Sequence, residues 1–197
     1  MQVLLTLLIP VLFYLAGYHY SENRATGAET FSIPAPGYPD SVKVGDAAPM
    51  FVLRDLTTDN AVYLRDYTGK VLRDSAKPRQ VVVLSFWSTW CQPCKEEIPR
   101  LTKLAGEFKG RPVRFFLIST MESQSTTDDS IRALYKARSY TLQCLLDATD
   151  RIGMRYNARV LPLLVVIDKQ GVIRKIMRGF HEEMYSDFAG FLQKLAN

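Results

Sequence analysis

The sequence VVVLSFWSTWCQPC, residues 81–94, decides the fold. Its first half is an apolar, β-branched run, which predicts a buried strand over Val81–Trp87. Beyond it, apolar residues recur at helical spacing, which predicts a helix that begins near Cys91 and runs toward Gly110. The two cysteines, Cys91 and Cys94, therefore stand where a strand gives way to a helix.

This position suits a pair of reactive thiols. Cys91 would lie at the helix N-terminus, where unpaired backbone N–H groups and the helix dipole stabilise a thiolate. Cys94 would lie one turn inside the helix, close enough to attack a mixed disulfide on Cys91 and release the partner. The spacing and its strand–helix context predict thiol–disulfide redox chemistry.

Two other uses of the cysteine pair stay open. A zinc site needs about four ligands, and the other candidates, Cys144, His19 and His181, are not paired at ligand spacing. A purely structural disulfide could also close so short a loop. The strand before the pair and the helix after it favour the redox interpretation.

From about Val44 to its end, the chain resembles thioredoxin-fold proteins of the TlpA/ResA/DsbE type, which are membrane-tethered thiol–disulfide oxidoreductases. The segment GDAAPMF at 45–51 is similar to the opening G-x-x-A-P-x-F pattern, and LSFWSTWCQPC at 84–94 to the F-W-A-T-W-C-x-P-C core. VLPLLVVID at 160–168 resembles the segment in which a cis-proline precedes a strand, and KQGVI at 169–173 the turn that follows. Residues 71–79 depart from the pattern as an apparent loop insertion.

The resemblance implies roles for residues around the cysteines. Glu97 would be a buried or half-buried acid that carries the proton of the resolving thiol, Cys94; the alternative is a solvated surface acid like Glu96. Ser85 stands where thioredoxins themselves place a buried aspartate. A cis bond before Pro162 would bring the backbone of Leu161 against the thiols, where an extended substrate could pair with it. The expected substrate-binding residues are Trp90, Gln92, Pro93, Leu161 and Pro162.

Alternating strand and helix patterns predict an α/β fold with a mixed central sheet covered on both faces. The resemblance implies that this fold is a thioredoxin-like three-layer sandwich. We expect a short hairpin around residues 57–60, strands over 113–119 and 143–146, and a helix over 128–140. Helical turns over 150–156, a hairpin formed by 163–167 and 172–177, and an amphipathic helix over 182–195 complete the domain. Cys144 is expected to be a buried, apolar thiol in a core strand.

The N-terminus predicts the location of the domain. Residues 3–15 are nearly all apolar, and extended to Tyr20 the run approaches the roughly 20 residues that span a bilayer. A cleaved signal peptide is the rival interpretation, although Met1 and Gln2 supply no positive charge; a buried core helix is a third. We expect an apolar anchor helix or signal peptide over 1–20, a Pro/Gly-rich linker over 21–43 and the thioredoxin-like domain over 44–197, facing an extracytoplasmic (periplasmic or outer-face) compartment.

Composition narrows the function. An apolar fraction of 47% and a charged fraction of 23% suit one globular core. No basic block with interleaved aromatic residues accompanies the net charge of +5, which argues against nucleic-acid binding. We expect no cofactor and no metal.

The expected partners are protein disulfides, the membrane through the N-terminal helix, and a membrane donor that restores the dithiol. The family leans toward reduction, often in cytochrome c maturation, but Gln92-Pro93 leaves the direction open. Copper delivery, on relatives whose cysteines are spaced by three residues, and a redox-inactive membrane-tethered interaction domain are the alternatives. A peroxiredoxin would need a P-x-x-x-T-x-x-C context that the sequence lacks.

Overall fold

A computed structural model of the protein describes residues 42–197, apart from the side chain of Met184. The predicted anchor over residues 1–20, and all but the end of the predicted linker, lie outside this range. Within it, no helix has the length and apolar character needed to cross a membrane.

Seven strands form one sheet in the described part of the chain, in the order β2-β1-β5-β4-β3-β6-β7. The strands are β1 (Val52–Asp55), β2 (Ala61–Tyr63), β3 (Val81–Trp87), β4 (Val113–Ser119), β5 (Gln143–Leu146), β6 (Leu163–Ile167) and β7 (Ile173–Arg178). The helices are α1 (Gln92–Glu107), α2 (Asp128–Ala137), α3 (Arg151–Arg155) and α4 (Phe188–Ala196), with 3-10 turns at Leu64–Asp66 and Glu182–Tyr185.

The sheet is mixed, as the sequence predicts. Strands β3, β4 and β5 run parallel, whereas β1, β6 and β7 each pair antiparallel with their inner neighbours, β5, β3 and β6 respectively. Strand β3 lies between β4 and β6, and all seven of its residues are buried. This explains why its sequence is continuously apolar and does not alternate with polar residues.

The side chains on the two faces of β3 pack into two separate hydrophobic cores. Val81, Val83 and Trp87 pack on one side, under α1, α2 and α4, which contribute side chains such as Ile98, Ile131 and Leu192. Val82, Leu84 and Phe86 pack on the other side, against the N-terminal segment and the region of α3, including Phe51, Leu64 and Tyr156. Helices and loops on both faces of one sheet form the predicted three-layer sandwich.

Two helix predictions need correction. The predicted helix over 182–195 is two elements, the 3-10 turn Glu182–Tyr185 and the helix α4, which begins only at Phe188. The break lets Tyr185 and Phe188 meet edge to face at 5.7 Å. The helix predicted over 128–140 ends at Ala137, because Ser139 adopts a left-handed conformation with φ of 54°.

Candidate active site

The two cysteines lie where β3 meets α1. Cys91 is the N-cap of α1, and its Sγ accepts a hydrogen bond from the backbone N–H of Cys94 at 3.3 Å. The two residues are joined by a disulfide, with their Cα atoms 5.3 Å apart. Pro93 occupies the first turn of α1, where its missing N–H costs no intrahelical bond. The helix N-terminus is therefore directed at the sulfur of Cys91, which favours a thiolate there after reduction.

The disulfide is reached from one side only. Cys94 is fully enclosed and Cys91 is 2% exposed, whereas Trp90 is 56% exposed. Gln92 and Pro93, between the cysteines, are also exposed. An approaching sulfur therefore meets Cys91 first, at a surface formed by Trp90, Gln92 and Pro93.

Glu97 is a buried acid, 1% exposed, one turn beyond Cys94 on the same helix. Its Oε2 accepts a hydrogen bond from the Ser85 hydroxyl at 2.6 Å, and its Oε1 accepts one from the hydroxyl of Tyr185. Burial raises the pKa of Glu97 above its ordinary value, and the two hydrogen bonds oppose that rise. A carboxyl group with a raised pKa, one helical turn from an enclosed thiol, is better suited to exchange a proton with that thiol than an ordinary exposed carboxylate is.

The predicted cis-proline segment lies beside the end of β3. The Leu161–Pro162 bond is cis, and because Phe86 pairs with Leu163, the two residues sit next to the last residue of β3. The carbonyl of Pro162 accepts a hydrogen bond from the N–H of Gly179 at 2.8 Å. No backbone hydrogen bond to Leu161 occurs among residues 42–197, so its N–H and C=O remain open to an added strand.

A loop after β4, unmarked in the sequence, holds the segment that leads to Cys91. Glu122 accepts hydrogen bonds from the N–H of Thr89 at 2.9 Å, from the Thr89 hydroxyl at 2.5 Å and from the Ser119 hydroxyl at 2.8 Å. The carbonyl of Met121 accepts one from the indole N–H of Trp90 at 2.7 Å. Trp90 is therefore exposed but fixed in orientation by the 121–122 loop.

Cys144 and the histidine within the described range are not part of the disulfide. Cys144 is a free, buried thiol in β5, and burial raises its pKa to about 12, so it stays protonated and unreactive near neutral pH. His181 is exposed, ahead of the 3-10 turn Glu182–Tyr185. In residues 42–197 no group of three or more His, Cys, Asp or Glu side chains is arranged to hold a metal ion.

The site contains all eight of the residues that the sequence marks, namely Trp90, Cys91, Gln92, Pro93, Cys94, Glu97, Leu161 and Pro162. Ser85, known from the sequence only as the position of a missing aspartate, donates to Glu97. Glu122 and Tyr185 also contact site residues, from 33 and 88 residues away in the chain. No motif marks either of them, because their partners become neighbours only when the sheet is assembled.

A strand–disulfide–helix unit facing a cis-proline in a mixed sheet defines a dithiol protein of the thioredoxin fold. The description "AhpC/TSA family" belongs to the family model that matches residues 44–176. ResA thiol–disulfide oxidoreductase of Geobacillus kaustophilus is 32% identical over 139 residues, 71% of each chain. ResA thiol–disulfide oxidoreductase of Bacillus subtilis is 28% identical over 155 residues, 78% of each chain.

Solved structures agree on the fold. A putative thiol:disulfide interchange protein DsbE from Chlorobium tepidum, 21% identical, matches with a TM-score of 0.66 over 80% of this chain and 100% of its own. StoA from Bacillus subtilis, 18% identical, matches with a TM-score of 0.57 over 77% of this chain and 100% of its own. The chain belongs to the AhpC/TSA family. With a disulfide-bonded C-x-x-C pair and ResA relatives, it is a thiol–disulfide oxidoreductase.

Proposed function

We propose that this protein reduces protein disulfides outside the cytoplasm, with Cys91 as the attacking thiol, Cys94 as the resolving thiol and Glu97 as the proton carrier. The observation that supports this most directly is the asymmetry of the pair. Cys91 caps the helix and borders the exposed surface, whereas Cys94 is enclosed one turn before a buried acid. In such an arrangement the two sulfurs react one after the other, each in a different step of the exchange.

The reaction begins with the reduced pair. The Cys91 thiolate attacks one sulfur of the substrate disulfide, so that a bond from Cys91 to substrate forms, the substrate S–S bond breaks, and the other substrate sulfur leaves as a thiolate. Cys94 then passes its proton to Glu97 and attacks the Cys91 sulfur. The Cys91–Cys94 bond forms, and the second substrate thiolate is released. Two electrons have moved from the enzyme pair to the substrate.

Substrate binding uses the surface around the sulfur of Cys91. An extended segment of the substrate would pair with the free backbone groups of Leu161, as an added strand does. Trp90, Gln92 and Pro93 flank the other side of the disulfide and are exposed. Apolar contact with Trp90 would orient the substrate cysteine toward Cys91.

The rest of the proposal concerns location and supply of electrons. Residues 1–20 would anchor or export the chain, residues 21–43 would act as a linker, and residues 44–197 would work in a periplasmic or outer-face compartment. A membrane donor of thiol reductant would restore the dithiol after each turnover. The names of the relatives, thiol–disulfide oxidoreductase ResA, support the chemistry. The family resemblance makes apocytochrome c the substrate class to try first.

The first experiment assigns the cysteines. We expect Cys91→Ser to abolish insulin reduction by the full-length chain, and Cys94→Ser to accumulate mixed disulfides, which a copper carrier would not do. Cys144→Ala is the matched control, because this thiol is buried and is not part of the disulfide, and it should keep wild-type turnover. Undiminished turnover in Cys91→Ser would refute the assignment.

The second experiment measures the direction of electron flow and the cellular location of the chain. The reduction potential of the Cys91/Cys94 couple, set against glutathione, decides the direction, since about 30 mV corresponds to roughly 1.4 kcal/mol for two electrons. A reductase should have a potential below that of its compartment. Fractionation should recover the full-length chain with membranes, and labelling by a membrane-impermeant thiol reagent should reach Cys91 in reduced, intact cells. Recovery as a soluble cytoplasmic protein would contradict the location.

A further inference from the structure

Glu97 is held by two hydroxyl groups that come from different elements of the fold. Ser85 approaches from β3 and Tyr185 from the 3-10 turn Glu182–Tyr185, and each binds a different oxygen of the carboxylate. A carboxylate that accepts two O–H donors has a fixed orientation and a more favourable ionised form than one without them.

We propose that Tyr185 is a positioning residue for the disulfide-exchange reaction: with Ser85 it orients the Glu97 carboxylate and keeps it able to take the proton of Cys94. This inference rests on the proposed function of Glu97 and extends it to a second segment of the chain. The hydrogen bond of the Tyr185 side chain in the described structure goes to Glu97, so we expect its effect on the reaction to pass through that carboxylate.

Tyr185 is itself held firmly. Its ring lies 5.8 Å from that of Phe180 and 5.7 Å from that of Phe188. The turn that carries Tyr185 is tied to α1, because Arg100 pairs with Glu182 and lies 5.5 Å from the ring centroid of Phe180. Burial raises the pKa of Tyr185, so its hydroxyl remains a donor throughout the working range of pH.

Burial is the largest influence on the pKa of Glu97, and these two donors are the groups that oppose it. Ser85 pairs across the sheet with Leu117 of β4 and Leu164 of β6, and both are apolar. On α1, the titratable neighbour is Cys94 one turn before, and Arg100 one turn after is engaged by Glu182. From the C-terminal segment, Tyr185 donates its hydroxyl, and α4 adds the apolar Phe188. Among the described residues, no cation pairs directly with Glu97 to replace a lost donor.

The substitution Tyr185→Phe removes only the hydroxyl and keeps the aromatic packing. A hydrogen bond to an ionised group outweighs a neutral one, so we expect the titration midpoint of Glu97 to rise by about one pH unit, a factor of about ten in ionisation. Ser85→Ala should shift it in the same direction. Tyr140→Phe is the matched control, because that hydroxyl has no hydrogen-bond partner and does not contact Glu97.

The first readout needs no turnover. In the oxidised full-length chain neither cysteine of the pair titrates, so infrared spectroscopy can follow the C=O stretch of the protonated Glu97 carboxyl, identified by its loss in Glu97→Gln. The inference predicts that this band persists to higher pH in Tyr185→Phe and Ser85→Ala but not in Tyr140→Phe. A midpoint that is the same in wild type and Tyr185→Phe would overturn the inference.

The second readout separates a positioning role from a structural one. The reduced chain is mixed with a peptide disulfide, the reaction is stopped with acid at successive times, and intact-mass measurement gives the amount of mixed disulfide at each time. We expect Tyr185→Phe to form it at the wild-type rate, to release it up to about tenfold more slowly at pH values where Glu97 is mostly protonated, and to recover at higher pH. Equal slowing of both steps, or slowing without displacement along pH, would overturn the inference. A wild-type chain that reduces no peptide would instead refute the proposed function, and the infrared titration would still decide the role of Tyr185.

Discussion

Replacing Glu122 tests whether the loop after β4 supports the active site. Glu122→Ala removes one acceptor group that serves three donors, the Thr89 N–H at 2.9 Å, the Thr89 hydroxyl at 2.5 Å and the Ser119 hydroxyl at 2.8 Å. We expect the segment before Cys91 to loosen, because Thr89 loses both of its contacts with this carboxylate.

The magnitude follows from the number and exposure of these bonds. Enclosed hydrogen bonds to a charged group contribute about 1.5–3 kcal/mol each. Glu122 is only half-buried, so water replaces part of what is lost, and we expect about 0.5–1 kcal/mol for each bond, roughly 2 kcal/mol in all. For a domain of this size that is a fall in Tm of about 4–8 °C. Glu122→Gln keeps one acceptor oxygen and should cost about half as much.

The assay is thermal unfolding of the oxidised full-length chain, followed by circular dichroism, together with the rate of mixed-disulfide formation after reduction. Glu96→Ala is the matched control, because Glu96 is an exposed acid on α1 without an ion pair or side-chain hydrogen bond in the described structure. We expect Glu122→Ala to lower both Tm and the rate of attack by Cys91. If Glu122→Ala and Glu96→Ala behaved alike in both measurements, the supporting role of the loop would be refuted.

Three further predictions concern single residues. Burial raises the folded-state pKa of Glu97 above its ordinary 4.5, so the wild type should lose stability relative to Glu97→Gln as pH rises from 4.5 through the folded pKa. The difference between their urea midpoints measures this loss, and a difference that does not change with pH would contradict the prediction. Cys144, with a pKa of about 12, should resist alkylation at pH 8 in the folded, reduced chain while Cys91 reacts, as peptide mass mapping will tell. Gly153→Ala should destabilise the chain by about 1–3 kcal/mol in chemical denaturation, because a Cβ there would lie 2.5 Å from the Thr120 hydroxyl, even though alanine favours a helix.

The sequence alone predicts the centre of this molecule well, for physical reasons. The runs that become β3 and β4 are continuously apolar because both faces of the sheet are covered. The start of α1 follows from the change of period after Trp87 and from Pro93, which a first turn accepts. These are local signals, and the predicted strands over 113–119, 143–146 and 163–167 match the observed ones residue for residue.

Helix ends were harder to predict, because the apolar spacing continues past the point where the backbone turns. The predicted helix over 128–140 includes Tyr140, which instead packs against Trp87 from beyond the helix end, with ring centroids 6.3 Å apart. Tyr185 and Phe188 likewise fit one amphipathic helix, although a turn separates them. In both places an aromatic side chain outside the α-helix, Tyr140 or Tyr185, packs into the core, and periodicity does not distinguish it from a residue of the helix.

The features that the sequence does not predict are side-chain contacts between segments far apart in the chain. The resemblance directs attention to Glu97, whereas its donor Tyr185 lies 88 residues further along the chain. Glu122 looks like an ordinary loop acid beside Ser123 and Gln124, and only the parallel pairing of β3 and β4 brings their following loops together. Sequence patterns report burial and local geometry, but they do not report which polar groups meet across a sheet.

The two edge strands of the sheet determine how readily copies of this protein associate by strand pairing. An unpaired strand at a rim is a template for pairing with a second chain, and the strands within this sheet are apolar enough to propagate such pairing. Here one rim is β2, which is only three residues long. The other is β7, which carries Arg174, Lys175 and Arg178 and is preceded by a bridge from Val172 to Ala47. The charges on β7 and the short length of β2 therefore disfavour strand pairing between neighbouring copies of the domain, even at high local concentration.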